Sequence, residues 1–253
     1  MRVLVTRPAR QAADWATRLC EAGIDAVALP LICIAPTADV AAVQEAWSAL
    51  PALRLAVFVS PNAAEQFMAA RRPGVSWPGG VLAGSIGPGT SQVLRRLGVP
   101  AAQVVEPAAD ALHFDSEALW RQLRQLDWQG AQVLIVRGDG GREWLAETLR
   151  AHGARVALLA AYRRSAPRLD DAEQALLREA LATPHEHLWY FSSSEAIDNL
   201  AALAGRTVDW SQARALATHP RIAARAQHLG MGQVTQAPPT LVAVRACIQS
   251  MPP

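Results

Sequence analysis

The sequence contains no lysine; all 24 of its basic residues are arginine. That removes every mechanism needing an amine side chain, including Schiff-base and pyridoxal chemistry and the lysine of a phosphate-binding loop. Cysteine is sparse as well. Cys20, Cys33 and Cys247 stand far apart with no C-x-x-C pair, which argues against both a disulfide framework and a thiolate metal site, so buried reduced thiols are expected. There is no H-E-x-x-H, and His185 and His187, which flank Glu186 just before a strand, read as a solvated loop rather than as metal ligands. Apolar runs are broken well short of the roughly 20 residues a spanning helix needs, so no membrane partner is expected. Met1 leads directly into Val3-Leu4-Val5-Thr6 without a charged leader, which points to the cytoplasm. A net charge of +2 is too mild to imply a nucleic-acid partner, although an arginine-lined cleft would still attract an acidic small molecule.

What is present is a globular composition, 51% hydrophobic and 18% charged over 253 residues, enough for two domains. The second half of the chain repeats the first. Val3-Leu4-Val5-Thr6-Arg7 recurs 130 residues on as Val133-Leu134-Ile135-Val136-Arg137, and Trp15, Leu19 and Gly23 recur as Leu145, Leu149 and Gly153. Phe58, Ser60, Ala63 and Phe67 correspond to Phe191, Ser193, Ala196 and Leu200, 133 residues on. Pro88, Leu97 and Gly98 correspond to Pro220, Leu229 and Gly230, 132 residues on. Agreement on Gly and Pro at element boundaries carries most weight, because matches on scattered Ala and Leu come easily in an Ala-rich chain. Taken alone, this repeat would divide the chain near Trp128.

Each repeat reads as strand, helix, strand and then further strand–turn–helix units, with short β-rich runs such as Leu55-Ala56-Val57-Phe58-Val59. The fold class expected is α/β with parallel sheets. In such sheets ligands bind at the carboxyl ends of strands, where backbone N–H groups open each following helix. Four loops have this character: Ser60-Pro61-Asn62, Gly87-Pro88-Gly89-Thr90, Ser192-Ser193-Ser194 and Thr218-His219-Pro220. Helix capping, which contributes about 0.5 to 2 kcal/mol, explains any one of them without a ligand. Four of them, facing one another from two domains, would form a receptor for a polyanion.

These residues resemble the uroporphyrinogen-III synthase family. The likeness runs through Val3-Leu4-Val5-Thr6-Arg7-Pro8, Phe58-Val59-Ser60-Pro61-Asn62-Ala63, Ile86-Gly87-Pro88-Gly89-Thr90, Val136-Arg137-Gly138 with Gly141-Arg142, Ala161-Tyr162-Arg163-Arg164 and Phe191-Ser192-Ser193-Ser194. Each motif is weak by itself, and the specificity lies in the ordered set. The resemblance implies two flavodoxin-like domains joined by a two-stranded connector, the first made of residues 1–34 and 168–253 and the second of residues 35–167. It also implies a cofactor-free and metal-free lyase acting on hydroxymethylbilane, a linear tetrapyrrole octacarboxylate. Loss of the terminal hydroxyl as water, attack through a spiro intermediate and reclosure invert the last pyrrole ring and yield uroporphyrinogen III. A monomer is expected, with transient contact to the upstream hydroxymethylbilane synthase.

By the same resemblance Tyr162 is the catalytic candidate, protonating or hydrogen-bonding the departing hydroxyl, since a phenol remains a donor at neutral pH. Ser60, Asn62, Thr90, Ser192, Ser193 and Ser194 are expected to hold acetate and propionate groups. Arg7, Arg137 and Arg142 would pair with carboxylates, with bracing of the loop around Asp139 the competing reading for the last two. The chain departs from the family where Gly-Pro-Thr-Thr is common, having His219-Pro220-Arg221-Ile222 instead. Two other classes stand beside this reading. One is a non-catalytic two-domain binding protein for a small anionic ligand. The other is a nucleotide-dependent enzyme, hinted at by Gly138-Asp139-Gly140-Gly141, whose G-x-G-x-x-G pattern fails at Glu143.

Overall fold

The computed structural model describes residues 1–251. Its strands are β1 (Arg2–Val5), β2 (Ala26–Ala28), β3 (Cys33–Pro36), β4 (Leu55–Phe58), β5 (Leu82–Ser85), β6 (Val104–Val105), β7 (Gln132–Gly138), β8 (Arg155–Ser165), β9 (His187–Phe191), β10 (Arg214–Ala217) and β11 (Gln233–Gln236). Its α-helices are α1 (Ala9–Glu21), α2 (Val40–Ala49), α3 (Pro61–Ala69), α4 (Pro88–Arg96), α5 (Ser116–Leu123), α6 (Trp144–Ala151), α7 (Asp171–Ala182), α8 (Ser194–Ala204), α9 (Pro220–Leu229) and α10 (Leu241–Gln249). The chain forms two compact units. The first holds Met1–Cys33 together with the segment from Ser165 onward, and the second is Ile34–Arg164.

The first unit carries the sheet β2-β1-β9-β10-β11, with every pair of neighbours parallel. The second carries β8-β7-β4-β5-β6, parallel throughout, with β3 added beside β8. The first array follows the flavodoxin-like order 2-1-3-4-5, and the second has the same spatial arrangement circularly permuted, 5-4-1-2-3 along the chain, with the order reversing between the second and third positions of each. Strands matched by the sequence repeat occupy equivalent places: β1 and β7, β2 and β8, β4 and β9, β5 and β10, β6 and β11. Each sheet therefore combines the first two strands of one repeat with the last three of the other. The boundary near Trp128 that the repeat alone suggests is not a boundary here. Trp128 is 2% exposed within the core of the second unit, and its indole N–H donates to the Leu123 carbonyl at 2.9 Å.

Two-residue alternation along the strands fills both faces of each sheet. In β4, Leu55 and Val57 join a cluster with Leu119, Leu145 and Leu149, whereas Ala56 and Phe58 join the opposite cluster with Phe67, Trp47 and Trp77. Phe58 and Phe67 meet edge to face at 5.5 Å, and truncating either to Ala would cost about 3 to 5 kcal/mol. In the first unit Val3, Val5, Leu188 and Tyr190 pack with Ala12, Ala16 and Leu19 of α1. The repeat-matched Gly23 and Gly153 follow the last turns of α1 and α6 with φ of 79° and 91°, a conformation costly for any residue with a Cβ.

Two expectations are corrected. His187 is not in a solvated loop. It is the first residue of β9, 1% exposed, and its Nδ1 lies 3.0 Å from the Thr183 carbonyl oxygen. The thiols are not buried either: Cys20 and Cys33 are exposed and Cys247 is half-buried, with desolvation pushing the Cys247 thiol upward.

Candidate functional site

Within each unit, taken by itself, several of the chemically active side chains lie at the carboxyl ends of the strands at the order reversal, β7/β4 in the second and β1/β9 in the first. In the second unit the loop after β4 turns into α3 at Ser60. Ser60 has extended backbone, its Oγ accepts from the Ala63 N–H at 3.0 Å, and Pro61 occupies the first helical position. The same Oγ lies 3.0 Å from the Tyr162 hydroxyl, so the helix cap and the candidate acid share one oxygen.

Tyr162 reaches that place because β8 is irregular. Residues 155–160 pair one to one with 132–137, but Gly138 then pairs with Tyr162, leaving Ala161 as an extra residue. Such a bulge re-aims the following side chain. Without it Tyr162 would alternate to the face opposite Ala161; instead Leu159, Ala161 and Tyr162 all join the Phe58 cluster. The ring lies so close to Gly138 that a Cβ there would sit 3.1 Å from two of its carbons. Tyr162 is 3% exposed, more enclosed than a connector aromatic lying on an interface would be.

Arg137 and Arg142 are held by the protein. The Arg137 guanidinium donates to the Gly141 carbonyl at 3.0 Å and to Glu143 at 3.4 Å, bracing the loop after β7. Arg142 forms a forked pair with Glu117 of α5 at 2.6 and 3.0 Å, which pushes its already high pKa further up despite partial burial. Asn62 is half-buried in the first turn of α3. Thr90 is 3% exposed inside α4, and its amide N–H donates to the Gly87 carbonyl at 3.0 Å, so its side chain faces the interior. The neighbouring turn is pinned by Ser85, whose hydroxyl donates to the Gly87 carbonyl at 2.8 Å.

In the first unit Ser192, Ser193 and Ser194 are half-buried where β9 meets α8, and Ser193 caps that helix by accepting from the Glu195 N–H at 3.2 Å. At the equivalent start of α9, His219 acts as cap through Nδ1, which accepts from the Arg221 N–H at 3.1 Å. Arg7 follows β1 at the order reversal. It donates to the Tyr190 hydroxyl at 3.1 Å, and its guanidinium carbon lies 4.4 Å from the Trp15 ring centroid. Neither Tyr190 nor Trp15, which the sequence marks only as a repeat-matched helix position, is a site candidate on the sequence alone. A usable signal existed: Tyr190 is the one residue with a hydroxyl in the run Leu188-Trp189-Tyr190-Phe191, and a buried phenol needs a partner. Among the described residues no three His, Cys, Asp or Glu side chains gather as a possible metal site, and no helix is long and apolar enough to cross a membrane.

Comparison with known proteins follows the same line. The family model described as uroporphyrinogen-III synthase HemD matches residues 13–243. The uroporphyrinogen-III synthase of Synechococcus elongatus is 30% identical over 217 residues, covering 83% of this chain and 77% of that protein. The uroporphyrinogen-III synthase of Salmonella typhimurium is 31% identical over 177 residues, covering 70% of each. Among solved structures, uroporphyrinogen-III synthetase from Helicobacter pylori superposes with a TM-score of 0.58 at 14% identity over 98% of both chains, a likeness of fold. With its two flavodoxin-like sheets and a match running through nearly its whole length, the chain belongs to the uroporphyrinogen-III synthase family.

Proposed function

We propose that this chain is a cyclising hydro-lyase of tetrapyrrole biosynthesis that converts hydroxymethylbilane to uroporphyrinogen III, with Tyr162 as the proton donor to the departing hydroxyl. The single observation that carries the assignment of Tyr162 is its phenol, set 3.0 Å from the Ser60 hydroxyl at the carboxyl end of the β7/β4 reversal, in a chain whose family match spans 13–243. Ser60 already accepts the Ala63 amide proton, so its own proton can be donated to the Tyr162 oxygen, leaving the phenolic proton for the substrate.

Proton transfer from Tyr162 breaks the terminal carbon–oxygen bond, water departs and a conjugated cation remains on the chain. The substituted carbon of the last pyrrole attacks that cation. The resulting spiro centre fragments and recloses with the ring inverted, and loss of the ring proton restores both aromaticity and the proton count. The protein's contribution is to hold the two ends of the chain in reacting distance, a positioning effect of large size. The half-buried rims that contain Ser60, Asn62, Ser192, Ser193 and Ser194 suit carboxylate recognition through helix-opening amides. Thr90 contributes only through the backbone of its loop. The proposal includes a cytoplasmic monomer that receives its unstable substrate from hydroxymethylbilane synthase.

The test is to supply enzymatically generated hydroxymethylbilane, oxidise the products and separate the isomers by chromatography. Catalytic formation of isomer III is expected. Isomer I alone, the product of closure without inversion, would reject the proposal and favour a binding protein.

A further inference from the structure

Arg7 differs from the other arginines at the strand ends. Among the described residues it makes no ion pair, whereas Arg137 and Arg142 are matched by Glu143 and Glu117. Its side chain is half-buried, its Nε is sealed from solvent with no hydrogen-bond partner, and the groups it bonds or stacks on, Gln11, Tyr190 and Trp15, are neutral. Terminal nitrogens donate to the Tyr190 hydroxyl at 3.1 Å and to Gln11 Oε1 at 3.4 Å. Tyr190 does not supply a counter-charge. Desolvation pushes its phenol up, and the attraction of Arg7 does not reverse that, so the phenol stays neutral at physiological pH. A partly buried cation without an anion is costly to maintain and invites one.

The cage around Arg7 is built from aromatic faces. The guanidinium lies over Trp15, and Trp15 stacks on Tyr190 with centroids 5.1 Å apart and planes 25° apart. Tyr190 is fully buried in β9. Thr6 pins the end of β1 to the same strand, its hydroxyl donating to the Tyr190 carbonyl at 2.8 Å. With five N–H donors on a guanidinium and two committed to Tyr190 and Gln11, one N–H remains on each terminal nitrogen, which suits a carboxylate fork.

We infer that Arg7 is a preformed carboxylate subsite of the first unit, and that Trp15 and Tyr190 are positioning residues that hold its guanidinium flat and desolvated. The inference rests on the proposed reaction for the identity of the natural ligand, a side-chain carboxylate of the tetrapyrrole, but not for the existence of the subsite.

Calorimetric titration of the whole protein with uroporphyrin III, a stable polycarboxylate, tests the subsite without any turnover. Arg7→Gln is expected to weaken binding roughly 10- to 100-fold and to make the remaining affinity less sensitive to salt. Tyr190→Phe, which keeps the stacked ring, is expected to weaken it about fivefold and to raise KM for hydroxymethylbilane while leaving kcat close to the parent value, a split that general loosening of the fold would not produce. Arg7→Lys keeps the charge, loses the fork and is expected to recover only part of the affinity. Full recovery with lysine would overturn the cage, because a point charge would then suffice. Binding of both Arg7→Gln and Tyr190→Phe within about twofold of the parent, with circular dichroism unchanged, would overturn the subsite. A parent protein that binds uroporphyrin III through Arg7 yet forms no isomer III would instead reject the proposed reaction and leave the subsite standing.

Discussion

Arg7 and Arg137 occupy the same place in the internal repeat and have different fates. Arg7 follows β1 and Arg137 lies near the end of β7, and the neighbouring strand is set against each by equivalent registers: Val5 pairs with Tyr190 in the first unit, and Ile135 pairs with Val57 in the second. The position matching Trp15 is Leu145. In the first unit the arginine therefore meets two aromatic rings and a neutral hydroxyl. In the second the matching positions, Leu145 and Val57, are aliphatic, and the arginine bonds to the Gly141 carbonyl and Glu143. The polar aromatic of the second unit comes from a different strand, Tyr162 of β8, and its partner is a serine cap rather than a cation. Duplicated scaffolds can thus carry different chemistry, because one or two letters facing the loop decide whether a charge is spent within the protein or kept for a ligand.

The largest effect separating the units is expected at Tyr162. Tyr162→Phe should lower kcat for isomer III at least about 100-fold with KM little changed, read by the rate of isomer III formation, because a positioned general acid contributes about 10² to 10⁴. Next is the paired comparison of the two arginines. Arg7→Gln should raise KM about tenfold or more, whereas Arg137→Gln should leave KM within about threefold and instead cost about 1 kcal/mol in denaturant unfolding, as a loop brace would. Equal effects of the two on KM would erase the distinction between the units.

Gly138→Ala sharpens the comparison from the other side. Its Cβ would lie 3.1 Å from the Tyr162 ring, which is held by the bulge and by Ser60. Displacing that ring should cost about 1 to 3 kcal/mol of stability and lower kcat together with it, measured by urea unfolding and by turnover. The smallest effect concerns alkaline pH. The folded-state pKa of Tyr190 is raised above its ordinary value of 10.0. The unfolded chain therefore ionises first, and stability is fully present below pH 10 and falls as pH rises from there towards the folded value. Thermal unfolding of Tyr190→Phe between pH 9 and 11 should show a shallower decline than the parent, with Tyr162→Phe as the comparison.

Much of the scaffold was legible in the residues. The Ser-Pro start of α3, the Pro88 and Pro220 helix openings and the glycines after α1 and α6 all have local causes, namely side-chain acceptors, a fixed φ and a positive φ, which act within a few residues. The site was legible only in part. Tyr162 and Ser60 stood out by motif, but nothing in their spacing told that they share a hydrogen bond across 102 residues. Arg142 looked like Arg7 on paper and differs because Glu117, on α5, happens to lie within reach. His187 looked exposed because its neighbours are polar, although the strand register carries it inside.

By itself, then, the sequence determined the element types, their caps, the parallel α/β class and the existence of two matched repeats, since periodicity and capping are local and the repeat is written in order along the chain. The repeat alone did not show that each sheet takes two strands from one repeat and three from the other, which the family resemblance implied, and only the tertiary structure decided that Ala161 is the extra residue turning Tyr162 toward Ser60 and that Tyr190 comes to lie under Arg7. The physical reason is that strand neighbours are joined by backbone hydrogen bonds that any sequence can make, so the pattern of side chains names the strands without naming which one lies beside which.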